Sequence, residues 1–290
     1  MSQNIRIIPK LDIKGPNLVK GIHLEGLRVL GKPEDFARHY YENGADELLY
    51  IDVVASLYGR NSLHDIIERT AKEIFIPLTV AGGLRSIEDI RSVLRAGADK
   101  ISINTAAINN PQLIKEASRV FGSSTITVTI EAIRQSDGSY LAYTDNGREH
   151  TGVEVLSWAK RVEELGAGEI LLTSIDREGT GNGYDLELTK MVSNAVSIPV
   201  IACGGAGNTQ HVVDVIKEGG ANAVAIASML HYEFIESHKN LSGYQIEGNI
   251  EFLKSGREYL PKIQKADIGE VKKYLHSHNI SCRWNETVLK

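Results

Sequence analysis

Short apolar runs alternate with amphipathic stretches along most of this chain. Runs of strand length fall at residues 5–12, 47–52, 76–81, 100–104, 124–131, 169–174, 199–203 and 223–227. Between them lie stretches such as "PEDFARHYYENGA", "SIEDIRSVLRAGA", "GVEVLSWAKRVEELGA" and "NTQHVVDVIKEGGA". Each carries apolar residues at three- and four-residue spacing and closes near Gly, the signature of an amphipathic helix. Eight strands with helices between them predict an α/β fold, a closed (β/α)8 TIM barrel, with an open doubly wound sheet as the alternative.

The first strand breaks the apolar pattern. In "IRIIPKLDIKGPNLVKG" (5–21), alternation puts Arg6, Ile8, Lys10 and Asp12 on one face. Charge on an inner face requires partners, water or a functional channel, whereas an edge strand would leave that face in solvent.

The two halves of the chain resemble each other. "IPLTVAGGLRSIEDIRSVLRAGADKISINTAA" (76–107) aligns with "IPVIACGGAGNTQHVVDVIKEGGANAVAIASM" (198–229), and "GADELLYIDV" echoes "GAGEILLTSID". Pro77 matches Pro199 and Gly82 matches Gly204 at an offset of 122, and Asp52 matches Asp176 at 124. So regular a repeat predicts two fused half-barrels. In each half a strand ends in a Gly pair, Gly82-Gly83 or Gly204-Gly205, and the next strand ends in Asn104-Thr105 or Ala227-Ser228. Paired glycines let backbone N–H groups approach an anion beside a helix start. A tight turn accounts for one such pair. Two related copies on one barrel face predict two phosphate seats and an elongated ligand with a phosphate at each end.

Composition changes this picture little. The 290 residues carry a net charge of -5, which gives no reason to expect a nucleic-acid surface. No run reaches membrane-spanning length, so no membrane association is expected. Cys203 and Cys282 are too few for a disulfide framework and have no metal-type cluster around them, so no metal or cofactor is expected and the cytoplasm is the default location. Cys203 reads as a small inward-facing hydrophobe, Trp158 as core, residues 160–164 as a solvated helix face, and His231 as either a phosphate contact or a packed histidine.

The motifs "RIIPKLDIK", "LVKG", "GRNS", "IPLTVAGGLRS", "AGADKISINTAA", "GREHTGVEVLSWAKRVEELGAGEILLTSIDREGT", "GYDLEL" and "IPVIACGGAG" resemble the cyclase subunit of imidazole glycerol phosphate synthase over about residues 4–232 and 267–283. The resemblance implies a barrel whose N-terminal face docks a glutaminase subunit as a heterodimer. Ammonia would then cross the barrel to a phosphorylated small molecule on the opposite face. It implies an ammonia gate of Arg6, Glu47, Lys100 and Glu169. The general acid and base fall on Asp12 and Glu131, which end the first and fifth strands. It places Lys20 in a mobile first βα loop and assigns substrate and phosphate contacts to Gly82, Gly83, Asn104, Thr105, Asp176, Glu178, Gly179, Gly204, Gly205, Ala227 and Ser228.

Four positions depart from the family pattern. Glu131 and Glu178 stand where the cyclase has aspartate, Ala81 where it has glycine, and Lys10 where it has a small uncharged residue. All four are expected to line one cavity. Lys10 is expected to pair with Asp12, Glu131 or both. The departures favour a divergent paralogue that supplies ammonia for amidino-sugar biosynthesis, beside a sugar amidotransferase, over the genuine cyclase of histidine biosynthesis; a catalytically idle glutaminase activator is a third reading. About thirty residues, 235–265, are inserted between the eighth strand and the last helix, on the catalytic face, where they read as a lid, a docking element or decoration, with a short helix in "GNIEFLKSGREYLP".

Overall fold

The computed structural model describes residues 4–55, 63–238 and 262–284. Most of the 235–265 insertion, with the helix expected in it, and the "GRNS" motif lie outside the described residues.

The strands are β1 (Arg6–Lys14), β2 (Asn17–Ile22), β3 (Glu25–Gly31), β4 (Leu48–Asp52), β5 (Leu78–Ala81), β6 (Lys100–Ile103), β7 (Ile126–Arg134), β8 (Tyr140–Thr144), β9 (Glu149–Glu154), β10 (Glu169–Ser174), β11 (Val200–Cys203) and β12 (Ala223–Ile226). Eight of them pair in parallel in the order β1, β4, β5, β6, β7, β10, β11 and β12, and β12 pairs back to β1. The sheet is therefore closed, a (β/α)8 barrel with helices between its strands. All eight expected strands are present, and the open-sheet alternative is excluded.

The alternation along β1 is real. Ile7, Leu11 and Ile13 face outward into the large core under the helices, while Ile8 belongs to a separate cluster inside the lumen with Leu49, Leu171, Ile201, Cys203, Ala223 and Ala225. The helical halves repeat in detail. Ser86 caps the helix Ile87–Arg95 by accepting the Asp89 N–H, and Asn208, 122 residues on, caps Thr209–Lys217 by accepting the His211 N–H. Trp158 is buried as expected. His231 is fully buried against Tyr40 O–H at 2.6 Å, so it is a packed histidine and no ligand contact.

Two antiparallel hairpins were not anticipated. β2 and β3 extend β1 past its C-terminal end, and β8 and β9 extend β7 in the same way. Both stand over the C-terminal mouth of the barrel. The helix expected from residue 152 accordingly starts at Val155, because Gly152–Glu154 complete β9.

Candidate functional site

Four charges close the N-terminal mouth. Arg6, Lys100 and Glu169 begin β1, β6 and β10, and Glu47 immediately precedes β4. Arg6 reaches Glu47 at 2.9 Å and Glu169 at 2.5 Å, and Lys100 reaches the same two carboxylates at 3.1 and 2.9 Å. Cation and anion alternate around the ring, so each side chain is partnered twice. Thr79 O–H also donates to Glu47 at 2.6 Å. Partial burial of such a ring is tolerable because every charge has an opposite neighbour. Beyond it one side of the lumen is apolar, with Ile8, Leu49, Leu171, Ile201 and Ala223, and the other carries buried hydroxyls, Thr79, Ser102, Thr127 and Thr129, of which Ser102 and Thr129 pair at 2.7 Å.

The opposite mouth holds a cavity of 320 Å³. Asp12, Gly82, Gly83, Asn104, Thr105 and Glu131 all line it, so the structure gathers six of the expected site residues from four strands. Lys10, Asp52, Arg85 and Asp145 line it as well. Gly82 is required there: at φ +101° an added Cβ would lie 2.5 Å from the Asp52 carbonyl oxygen. Gly204 relates to Ser174 in the same way, at 2.7 Å. The structural counterpart of Asp52 is therefore Ser174, 122 residues on, and the Asp52–Asp176 match is two residues out of register. Asp176 is exposed and accepts the Arg134 N–H at 2.8 Å, away from the cavity.

Lys10 sits buried at the boundary between lumen and cavity, 2.9 Å from Asp12 and 3.6 Å from Glu178. Burial by itself lowers its pKa, but the Asp12 and Glu178 carboxylates more than offset this and raise it, so Lys10 stays charged. Lys20 is buried too, 2.9 Å from Glu178. Burial works to raise the Glu178 pKa, and the two ammonium groups overcome that effect and hold it well below the usual carboxylate range. Lys10 does not take Glu131 as its hydrogen-bond partner. Instead, Glu131 accepts the Gly147 N–H at 2.8 Å from the turn between β8 and β9. That turn holds Asp145, Asn146 and Gly147 at positive φ, and Asp145 also bonds Thr105. Glu131 is half-buried and lines the cavity, and burial pushes its carboxyl up to about 7.

The second expected seat, formed by Glu178, Gly179, Gly204, Gly205, Ala227 and Ser228, is also gathered in one place, around a space of only 10 Å³. Cys203 lies beside it, buried, with its thiol pushed up to about 12 by burial. Among the described residues, no group of three or more His, Cys, Asp or Glu forms a metal-type cluster, and no helix is long and apolar enough to cross a membrane.

The chain is thus a (β/α)8 barrel built from two repeats, with a charged ring at one mouth and a cavity lined by Asp12 and Glu131 at the other. Residues 6–236 match the family model described as histidine biosynthesis protein. The imidazole glycerol phosphate synthase subunit HisF of Legionella pneumophila is 59% identical over 207 residues, covering 71% of this chain and 98% of the relative. The protein of the same name from Methanopyrus kandleri is 51% identical over 245 residues, covering 78% and 90%. That from Prochlorococcus marinus is 52% identical over 229 residues, with the same coverage. The chain belongs to this HisF family of synthase subunits.

Proposed function

We propose that the chain is the ammonia-accepting, cyclase-type subunit of a glutamine amidotransferase, docked through its N-terminal face to a glutaminase. The observation that carries this reading is the closed ring of Arg6, Glu47, Lys100 and Glu169 at one mouth, on the barrel axis with the cavity at the other. Ammonia is small and neutral enough to pass a lumen lined by Ile8, Leu49, Leu171 and Ala223 once the ring parts. On arrival it meets Asp12 and Glu131, which are assigned the proton transfers of addition and ring closure. A catalytically idle scaffold would have no use for such a ring.

The names of the relatives support the genuine imidazole glycerol phosphate synthase subunit better than the amidino-sugar paralogue, and no relative cited above carries a sugar-related name. A single observation supports the paralogue. Asp12, assigned as a proton-transfer group, is held in a buried ion pair with Lys10, an arrangement that resists proton exchange.

The test is turnover of the cyclase substrate by the purified protein in ammonium salts, which needs no glutaminase. Sustained turnover establishes the synthase reading; none, with the fold intact, leaves the altered acceptor. Charge reversal in the ring, Lys100→Glu, is expected to lower glutamine-driven product formation at least tenfold in the complex while the ammonium-driven rate stays within about twofold. Equal loss of both rates counts against a gate.

A further inference from the structure

The two hairpins over the cavity are equivalents in the repeat, and they touch. His23 and Leu24 form the β2–β3 turn at φ +51° and +62°. Asp145 and Asn146, each 122 residues on, form the β8–β9 turn at φ +53° and +62°. The turns meet through one bond, in which the Asn146 side-chain N–H donates to the Leu24 carbonyl at 3.1 Å. Both residues line the cavity.

The loop after β10 underlies both turns. The His23 N–H donates to the Glu178 carbonyl at 2.9 Å, the His23 ring meets the Ile175 carbonyl at 2.8 Å, and Lys20 pins the hairpin to the Glu178 carboxylate. Gly147, at φ +79°, stands on the same Ile175, so closely that a Cβ there would lie 2.7 Å from the δ-methyl. Left-handed backbone is easily adopted by Asn and Asp but crowds the Cβ of Leu, so Leu24 stays there because its surroundings hold it. The His23 anchors lie on one side of it and the Asn146 bond to its own carbonyl on the other.

The β8–β9 turn in turn supplies the Gly147 N–H to Glu131 at 2.8 Å. Lys10 and Asp12 of β1 and Asp145 of the turn are the charged groups facing that carboxyl, and Tyr143 and Thr173 stand beside it on β8 and β10. Burial acts most strongly on it and raises its pKa. The Gly147 N–H is the next influence and opposes burial, ahead of Lys10, while Asp145 and Asp12 add to the rise. The chain of contacts therefore runs from Leu24 in the first half of the barrel, through Asn146 and Gly147, to Glu131 in the second.

We propose that Asn146 is a positioning residue: by tying the β8–β9 turn to the Leu24 carbonyl it joins the two hairpins into one roof and holds the Gly147 N–H on Glu131. The proton-transfer carboxyl of one half-barrel is thus set in place by the turn of the other. The proposal rests on the ammonia-accepting reading in taking Glu131 as the proton-transfer group.

The test uses the full chain and needs no substrate. Asn146→Gly removes the donor and suits the left-handed backbone, so it introduces no strain. Hydrogen exchange at the Gly147 amide should quicken at least tenfold in this variant, on the order expected when a local contact opens, while the amides of β10 and β11 keep their protection. The Glu131 carboxyl, followed by carbon NMR and assigned by its absence from Glu131→Gln, should titrate with a midpoint about half a pH unit or more above the native one, because a bond to its ionised form is lost. Asn146→Asp keeps the size and the tolerance for this backbone but sets an oxygen against the Leu24 carbonyl. It should free the Gly147 amide equally, and exchange is its readout because the added charge acts on Glu131 directly. Native exchange at Gly147 in either variant, or an unmoved Glu131 midpoint in Asn146→Gly, overturns the proposal. A contact that only stabilises the fold would lower the melting temperature and leave that midpoint in place. The functional reading fails separately. Native ammonium-driven turnover of the cyclase substrate by Glu131→Gln refutes that reading and leaves the roof standing, and lost turnover there with an unmoved midpoint in Asn146→Gly does the reverse.

Discussion

Replacing Glu178 by Ala is expected to lower stability by about 3–5 kcal/mol, the effect of stranding buried charge by removing its partner. Lys10 and Lys20 both depend on this carboxylate, and both side chains are 3% exposed. Lys10 would retain Asp12, whereas Lys20 would keep, among the described residues, only the Gly21 carbonyl at 2.5 Å. For a chain of this size the midpoint of thermal unfolding should fall by roughly 10 °C. The double variant Lys20→Met/Glu178→Met removes charge from both sides of the bond, and its midpoint should recover more than half of that loss. If the Ala variant melts within about 2 °C of the native protein, Lys20 is solvated in solution and the hairpin is not pinned. Hydrogen exchange gives an independent reading, because the amides of β2 and β3 should lose protection in the Ala variant while those of β10 and β11 keep it.

The strands of the barrel are legible in the sequence because parallel strands buried on both faces are short apolar runs, and helices with one apolar stripe separate them. The ring is legible through the resemblance and physically consistent with β1, where Arg6 stands at the start of a strand whose alternate residues face inward. The two hairpins are harder to read. "LVKGIHLEGLRVLG" mixes charge with apolar residues on both faces, since one face packs on the barrel mouth and the other is in solvent. "YTDNGREH" does carry a signal, an Asn-Gly pair between alternating residues, which marks a tight hairpin turn. Missing it also hid the partner of Glu131. Of the two partners expected for Lys10, Asp12 is the one it takes, at 2.9 Å; the hairpin supplies the Gly147 N–H to Glu131 and Glu178 becomes the second partner of Lys10. The burial of Lys20 could not be foreseen from a neighbourhood of four residues, because its partner is 158 residues away. Asp176 was misplaced for a different reason: motif similarity favoured an offset of 124, while the backbone packing of Gly204 on Ser174 keeps the repeat at 122.

Glu131 should show the largest effect on turnover. A general acid or base works best with a pKa near the working pH, and burial has brought this carboxyl up to about 7, with the Gly147 N–H and the Lys10 charge pulling the other way. Glu131→Gln keeps the shape and the acceptor oxygen for Gly147 but cannot take up or release a proton. Ammonium-driven turnover of the acceptor should fall by about 10²–10⁴-fold, with KM changed far less than kcat, because the loss is in proton transfer and not in binding. The native rate should follow a titration centred near pH 7 that the Gln variant lacks. Stability gives the sign independently of activity. A carboxyl whose folded pKa is raised binds its proton more tightly in the folded state than in the unfolded one. The stability this contributes is fully present below about pH 4.5 and is lost as pH rises through about 7. The Gln variant is neutral throughout and escapes that loss, so it should melt higher than the native protein at pH 8, and its advantage should shrink toward zero or reverse at pH 5. A Gln variant with native turnover would remove Glu131 from the chemistry. A melting difference that does not change between pH 5 and 8 would show that the carboxyl titrates like an exposed one.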